Sequence, residues 1–416
     1  MINNFKFLKI VLLGFGFLSI SLLWSLYNTD IPVILQKSYK ISSFAVGWIM
    51  NLDNILALFL IPLIGALSDR TWTKLGKRMP YIITSLPLGA IFFSFIPWIP
   101  ALFGINTSSL ILLILVILLM NIFQAIGRGP VISLMPDLVP PENRSPANGI
   151  INFMGGLGSL IAYFIVGKIS AVNRTLGFSI AGLIQIVSVW IIFLAINESK
   201  DSLVMTKVER ENNEFSFKKL INLKDKNLIF LLLAIFFWFI GFNAVETFYS
   251  VYMALEKGLD PTLGESIAKS NLGILALTFM IFSIPSGLIA KKIGRKNTII
   301  IGLLGMIFIF IGLISFQNLS IIRIFFMLGG LFWALININS LPMVLDLGDL
   351  KSQGTYTGFY YFSSQFASIV APPFAGFLAD LLKTRFVIFP LGGIFFTLSL
   401  LMMLQIKMKE PKEKEN

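Results

Sequence analysis

The sequence has no cysteine and no histidine, and only 13% of its 416 residues carry a charge. Without cysteine there is no disulfide, thiolate metal site, haem attachment or cysteine nucleophile. Without histidine the commonest imidazole ligand and the usual general base are missing, which excludes a zinc hydrolase of the ordinary kind and any Ser-His-Asp enzyme. No glycine-rich phosphate loop is visible, so a nucleotide-driven pump is disfavoured. No metal, cofactor or enzymatic activity is expected. The charged fraction is about half of the roughly 25% that a soluble domain uses to cover its surface. Such a chain cannot face water on all sides.

What is present is apolar. Hydrophobic residues make up 56% of the chain, phenylalanine alone occurs 40 times, and mean hydropathy is +0.84. Apolar runs fall at 10–34, 43–68, 79–98, 108–136, 148–168, 176–197, 227–253, 266–290, 298–316, 320–347, 355–380 and 386–406. At 1.5 Å per residue each can cross a hydrocarbon core about 30 Å thick, the longer ones with tilt. The first run is too long for a signal-peptide core and eleven more follow it, so a retained span is expected. The predicted fold is an all-α membrane protein with twelve transmembrane helices in two six-helix bundles. Trp48, Trp98 and Trp190 read as interfacial anchors.

The formal charge is +12, and its distribution matters more than its size. With both termini on one side, the loops there carry 23 of the 33 Lys+Arg residues, the opposite loops carry 9, and Arg128 lies inside a span. By the positive-inside rule both termini are cytoplasmic. The surplus charge is therefore an orientation signal, and no nucleic-acid partner is expected. The expected organisation is an N-terminal bundle over 1–197, a cytoplasmic connector over 198–226 with a short surface helix near 215–224, a C-terminal bundle over 227–407 and a charged tail over 408–416.

The two halves rhyme. Gly65-Ala-Leu-Ser-Asp69-Arg70 followed by Gly76-Lys77-Arg78 matches Gly287-Leu-Ile-Ala-Lys-Lys292 followed by Gly294-Arg295-Lys296. Asp137 precedes Gly149 by twelve residues, and Asp346 precedes Gly358 by the same interval. A six-span repeat in one orientation is the arrangement in which two bundles rock about a central site. The residues that repeat on the cytoplasmic side, Asp69, Arg70, Gly76, Arg78, Asp137, Arg144, Gly294, Arg295 and Asp346, form a candidate cytoplasmic gate. Charged hydrogen bonds among them would hold short loops and helix ends together.

These motifs resemble the signature between the second and third spans of the major facilitator superfamily. Within it, Ser68-Asp-Arg-Thr-Trp-Thr-Lys-Leu-Gly-Lys-Arg-Met-Pro-Tyr81, Gly129-Pro130…Asp137-Leu138 and Gly354-Thr-Tyr-Thr-Gly-Phe-Tyr-Tyr-Phe362 resemble the sucrose-transporter-like branch of the glycoside–pentoside–hexuronide:cation symporters. The resemblance implies a twelve-helix fold with a central cavity. It also implies uptake of an oligosaccharide or glycoside coupled to a proton or sodium ion. Two departures stand out. Plant sucrose-transporter relatives carry an arginine at the position of Ile132, whereas this chain has Arg128, one turn earlier. Melibiose-type relatives build a cation site from paired aspartates in span 2 and another in span 4, where this chain has Asp53 alone and no span-4 aspartate in the interior. Of the two ions, the proton is favoured.

Away from the span ends the ionisable residues are Asp30, Asp53, Arg128 and Glu246. A charge in hydrocarbon costs several kcal/mol, so each is expected to face a cavity or a partner. Asn121, Gln124 and Arg128 share one helical face of span 4, and Asn243, Glu246 and Ser250 share one of span 7. Trp24, Tyr27 and Asn28 precede Asp30, while Asn337, Tyr361 and Gln365 lie in spans 10 and 11. Amides, carboxylate and guanidinium suit sugar hydroxyls, and rings suit the apolar faces of a pyranose. A buried carboxylate with a raised pKa could load and release a proton; Asp53 or Glu246, then Asp30, are the candidates. The reading is a secondary active transporter of the cytoplasmic membrane, monomeric, taking up a sugar, oligosaccharide or glycoside with H⁺ or Na⁺ by alternating access. Two alternatives stay open: an exporter of drugs or other amphipathic solutes, and a non-transporting sensor with a transporter fold.

Overall fold

The computed structural model describes residues 4–139, 144–201, 225–347 and 353–407. The expected helix at 215–224 and the tail from 408 lie outside them. The long helices are α1 Leu8–Ser38, α2 Ser43–Arg70, α3 Met79–Phe95, α4 Thr107–Leu138, α5 Ala147–Val172 and α6 Arg174–Ala195. They continue with α7 Lys226–Leu255, α8 Pro261–Ile293, α9 Arg295–Ser315, α10 Leu319–Asp346, α11 Tyr356–Leu382 and α12 Arg385–Gln405. Eleven are long and apolar enough to cross a membrane, and α3 is a shorter apolar helix. Among the described residues there is no strand; an isolated bridge between Thr73 and Gly76 closes a turn.

Local chemistry explains where the helices stop and bend. α3 ends short of the expected residue 98 because Pro97 has no N–H to give the ladder, and a brief helix, Trp98–Phe103, resumes after it. α4 begins on a capping box: Asn106 Oδ1 accepts from Ser109 N at 2.8 Å, and Ser109 Oγ accepts from Asn106 N at 3.1 Å. Pro32 sits inside α1, whose last turn, Ile34–Ser38, widens to π geometry. α2 is broken at Asn51, two residues before Asp53. α8 begins five residues before its apolar run, because Asp260 caps it, accepting from Thr262 N at 3.0 Å and Leu263 N at 3.1 Å, with Pro261 in the first turn.

The chain divides into two compact units. One comprises Met1–Ser42, Trp48–Val208 and Met253–Gly273; the other comprises Ser43–Gly47, Glu209–Tyr252 and Ile274–Asn416. In the first, Leu13, Met79, Leu86, Val131, Ile151 and Ile192 bring α1, α3, α4, α5 and α6 into one buried apolar core. Gly158 of α5 lies so close to the Leu18 carbonyl of α1 that no Cβ fits. In the second, Gly305 of α9 meets the Phe332 ring of α10 with the same tightness. Close approach through small residues is how helices associate where lipid removes the hydrophobic drive between them. Trp48, Trp98 and Trp190 all stand exposed. Each unit also takes in the first turns of a helix whose remainder belongs to the other: Ser43–Gly47 of α2 and Pro261–Gly273 of α8.

Candidate functional site

Polar side chains collect in the interior of the first unit. Tyr27 of α1 is fully buried, its ring edge-on to Trp24 at a centroid distance of 5.1 Å. Asn121 of α4, also buried, donates from Nδ2 to the Tyr27 hydroxyl at 3.3 Å. That bond leaves the buried Asn121 Oδ1 and Trp24 Nε1 without a hydrogen-bond partner. Buried polar atoms are normally paired, so an open acceptor and an open donor beside one ring cluster suit a hydroxylated ligand. The charge of Asp53, on α2, acts on both Tyr27 and Arg128 of α4. Asp53 and Asn28 are half-buried.

Gln124 behaves differently from its neighbours on the same stripe. It forms a reciprocal amide pair with Gln185 of α6, Gln124 Nε2 donating at 2.7 Å and Gln185 Nε2 at 3.1 Å. Its bonds fasten α4 to α6. Helical periodicity could identify the stripe but not this partner, which is 61 residues away.

In the second unit, Asn243 of α7 donates to the Phe239 carbonyl at 2.7 Å and to Ser368 Oγ of α11 at 3.1 Å. Glu246, one turn on, is half-buried, as are Asn337 of α10 and Gln365 of α11. Tyr361 is exposed, while its neighbour Tyr360 is buried with its hydroxyl 3.2 Å from Ser340 Oγ. Asn339 is buried and bonded to Ser286 Oγ at 2.9 Å. Asp53 and Arg128 thus belong to one unit and Glu246 to the other.

The cytoplasmic motif of the first unit folds into a knot. Gly76, at φ +107°, turns the chain back so that Thr73 and Gly76 exchange backbone hydrogen bonds of 3.0 Å. The turn delivers the buried Arg78 between α2 and α4. Its Nε donates to Asp137 Oδ2 at 3.2 Å, Nη1 to Ser68 Oγ and to the Gly65 carbonyl at 3.3 Å, and Nη2 to Asp69. Lys77 Nζ adds a bridge to Asp137 at 3.1 Å and a looser one to Asp69 at 3.7 Å. Glu198, fully buried just past α6, accepts from the backbone N–H of Lys77 at 3.1 Å, Arg78 at 2.9 Å and Met79 at 2.8 Å. The carboxylate thereby satisfies orphan donors at the α3 N-terminus. In the second copy Gly294, at φ +84°, precedes Arg295, which pairs with Asp346 and reaches the Pro342 carbonyl at 3.4 Å. Arg70 is exposed, and the side chain of Arg144 lies outside the described residues.

Asp30 has a setting that the apolar runs did not foreshadow. It is fully buried, and its Oδ1 accepts from Lys269 Nζ at 2.8 Å, Ser170 Oγ at 2.8 Å and Arg174 Nε at 3.3 Å. Arg174 also pairs with Glu265, and Lys37 Nζ stands 3.6 Å from Glu265 on the other side. Arg174 and Lys269 are two of the nine basic residues counted above with the opposite loops, and Glu265 falls just before the apolar run at 266–290. In the structure Lys269 and Glu265 are 1% and 2% exposed. The signal was available in Asp260-Pro261, a cap and first-turn pair that starts α8 early enough to put Glu265 and Lys269 one turn apart on one face. Among the described residues no group of ligating side chains could hold a metal ion.

The model of the Major Facilitator Superfamily matches residues 13–372 and 261–416. The hexuronate transporter of Bacillus subtilis (strain 168) is 24% identical over 385 residues, covering 86% of this chain and 82% of its own length. The isoprimeverose transporter of Lactiplantibacillus pentosus is 24% identical over 369 residues, covering 83% and 74%. The crystal structure of the nucleoside transporter NupG matches with a TM-score of 0.73 across 98% of this chain and all (100%) of that one, at 17% identity, a likeness of fold. Both sequence relatives are named for sugar-type cargo, in keeping with the glycoside–pentoside–hexuronide character of the motifs. With the family model spanning both halves, twelve apolar helices among the described residues and the paired glycine–basic turns in place, the chain is a multi-pass membrane transporter, not an enzyme, and belongs to the Major Facilitator Superfamily.

Proposed function

We propose that the protein takes up a sugar, oligosaccharide or glycoside across the cell membrane by alternating access, coupled to a cation, with the proton favoured over sodium. The working form is a monomer with bundles over 1–197 and 227–407 joined by the 198–226 connector. The observation that carries the reading is the Trp24–Tyr27–Asn121 cluster, with a buried donor and a buried acceptor unsatisfied, in a chain related along most of its length to sugar-type transporters. A ring can pack on Trp24 while its hydroxyls meet Asn121 Oδ1 and Trp24 Nε1. Asp53 is the preferred proton carrier. It shares this region electrostatically with Tyr27 and Arg128, so a change in its protonation would alter the field where substrate sits. Glu246 is the second candidate. Asn28, Arg128, Asn243, Asn337, Tyr361 and Gln365 are proposed to line the path.

Counterflow in proteoliposomes, against mono- and disaccharides, glycosides and amphipathic drugs, tests the class without assuming a coupling ion. A sugar signal that Asn121→Ala and Trp24→Ala reduce at least tenfold is expected. Asp53→Asn should retain counterflow but lose accumulation driven by a proton gradient. A signal confined to drugs, or silence across the panel, defeats the uptake reading; accumulation that Asp53→Asn leaves intact moves the coupling role elsewhere.

A further inference from the structure

The outer ends of α1, α5, α6 and α8 meet in a chain of charges of alternating sign: Lys269, Asp30, Arg174, Glu265 and Lys37. "Outer" here is the face opposite the basic loops. Three of the five, Asp30, Lys269 and Glu265, are at most 2% exposed, while Arg174 and Lys37 are 22% and 36% exposed at the rim. Resting on alternating access as proposed above, we infer that Asp30, Lys269, Arg174 and Glu265 form a latch that holds the first turns of α8 against α1, α5 and α6 and parts when that end of the transporter opens.

Three features favour a latch over a static brace or a proton carrier. First, both anchors on α8 lie one turn apart, so a single movement of that helix releases Lys269 from Asp30 and Glu265 from Arg174 together. Second, ions buried with their partners trade desolvation against attraction, and on opening each regains water. The two arrangements can therefore lie close in free energy, as a reversible contact requires. Third, Asp30 is fully engaged: Lys269, Ser170 and Arg174 all donate to its Oδ1 within 3.3 Å. A carboxylate so supplied with cations and donors joins the helices it touches. It suits a lock better than a group that must take up a proton.

The equivalent end of α2 is held by other means. Asp380 of α11 accepts from the backbone N–H of Ser43 and Phe44 at 2.8 Å each, and Gly47 and Gly376 leave no space for a Cβ against Pro372 and Ser43. That contact sets a carboxylate against backbone donors, whereas the one at α8 sets carboxylates against side-chain cations.

The absence of native cysteine gives a clean test. Ser170→Cys places a thiol where Lys269 Nζ covers the native hydroxyl at 3.2 Å. A membrane-impermeant maleimide added from outside to intact cells should label it slowly. Adding Lys269→Met should speed labelling at least tenfold, Lys269→Arg should keep it slow, and the swap Asp30→Lys with Lys269→Asp should bring it back towards the slow rate. The inference is overturned if Lys269→Met, shown folded by size-exclusion chromatography, labels no faster than the Ser170→Cys parent. It is also overturned if the parent already labels as fast as a fully exposed thiol. Labelling needs no sugar, so the same variants purified, reconstituted and tested for counterflow separate failure of the latch from failure of the uptake reading.

Discussion

The two copies of the cytoplasmic turn share a pattern and differ in what the pattern encloses. In the first, Lys77 and Arg78 meet Asp69 and Asp137, Ser68 and the Gly65 carbonyl, and Glu198 gathers three backbone donors behind them. In the second, Arg295 pairs with Asp346, the two side chains being 38% and 44% exposed. Lys296 ties the turn to the end of α12 by donating to the Ile406 carbonyl at 2.6 Å. Within the motif two aligned positions differ in kind. Ser68 and Asp69 become Ala290 and Lys291, so an acceptor and an acid become a methyl group and a base. Burial follows composition: a guanidinium can be enclosed only where acids and carbonyls complete its set of donors.

The comparison breaks most sharply at Arg78. Removing one member of a buried ion network leaves its partner charged and dry, at a cost of about 3–5 kcal/mol. Arg78→Met or Asp137→Asn should therefore lower the thermal unfolding midpoint in nanodiscs well below that of any variant in the second copy. If Arg78→Met cost no more than Arg295→Met, the distinction between a buried knot and a surface pair would fall.

Glu198 sharpens the comparison at an intermediate scale. Hydrogen bonds to a charged acceptor contribute about 1.5–3 kcal/mol against roughly 1 for a neutral one. Glu198→Gln keeps the shape and one acceptor oxygen while losing the charge at the α3 N-terminus, and should cost about 1–2 kcal/mol by the same unfolding assay. Its partner Gly76 cannot be altered quietly, since a Cβ there meets the Glu198 carboxylate and φ is +107°. Gly76→Ala should exceed the Glu198→Gln loss.

Much of this was readable in advance, for physical reasons that mark where reading stops. Hydropathy located the spans because lipid demands continuous apolar helices. The paired Gly76 and Gly294 were visible because a left-handed turn and the basic residues after it recur in order. Asn121 was legible from the helical stripe it shares with Arg128, and Tyr27 from its place one turn before Asp30. Partners were not legible. Gln124 looked like a ligand contact because a helical stripe carries no information about α6, yet it pairs with Gln185. Glu198 looked like the first charge of a connector, since three N–H groups 119 to 121 residues away leave no local trace. The Asp30 cluster was missed at a boundary: a hydropathy edge at residue 266 made Glu265 a loop residue, whereas the Asp260 cap makes it helical.

The smallest expected effect probes the comparison most directly. An exposed ion pair contributes about 0–1 kcal/mol and is screened by salt. Arg295→Met should thus shift unfolding by less than about 1 kcal/mol, and the shift should shrink further at high ionic strength. If composition rather than position within the fold sets the difference, introducing Ala290→Ser with Lys291→Asp supplies Arg295, in register with Lys77 but bonded like Arg78 to the aspartate at a helix end, with the acceptor and acid that Arg78 has. Arg295→Met should then cost measurably more in that background than in the parent, a coupling of about 1 kcal/mol in a double-mutant cycle. Asp346 remains 44% exposed in its side chain, so the graft should not approach the cost of Arg78→Met. A coupling indistinguishable from zero would mean that the longer first loop, with its Thr73–Gly76 bridge and the Glu198 cap behind it, creates the enclosure, and that Ser68 and Asp69 merely occupy it.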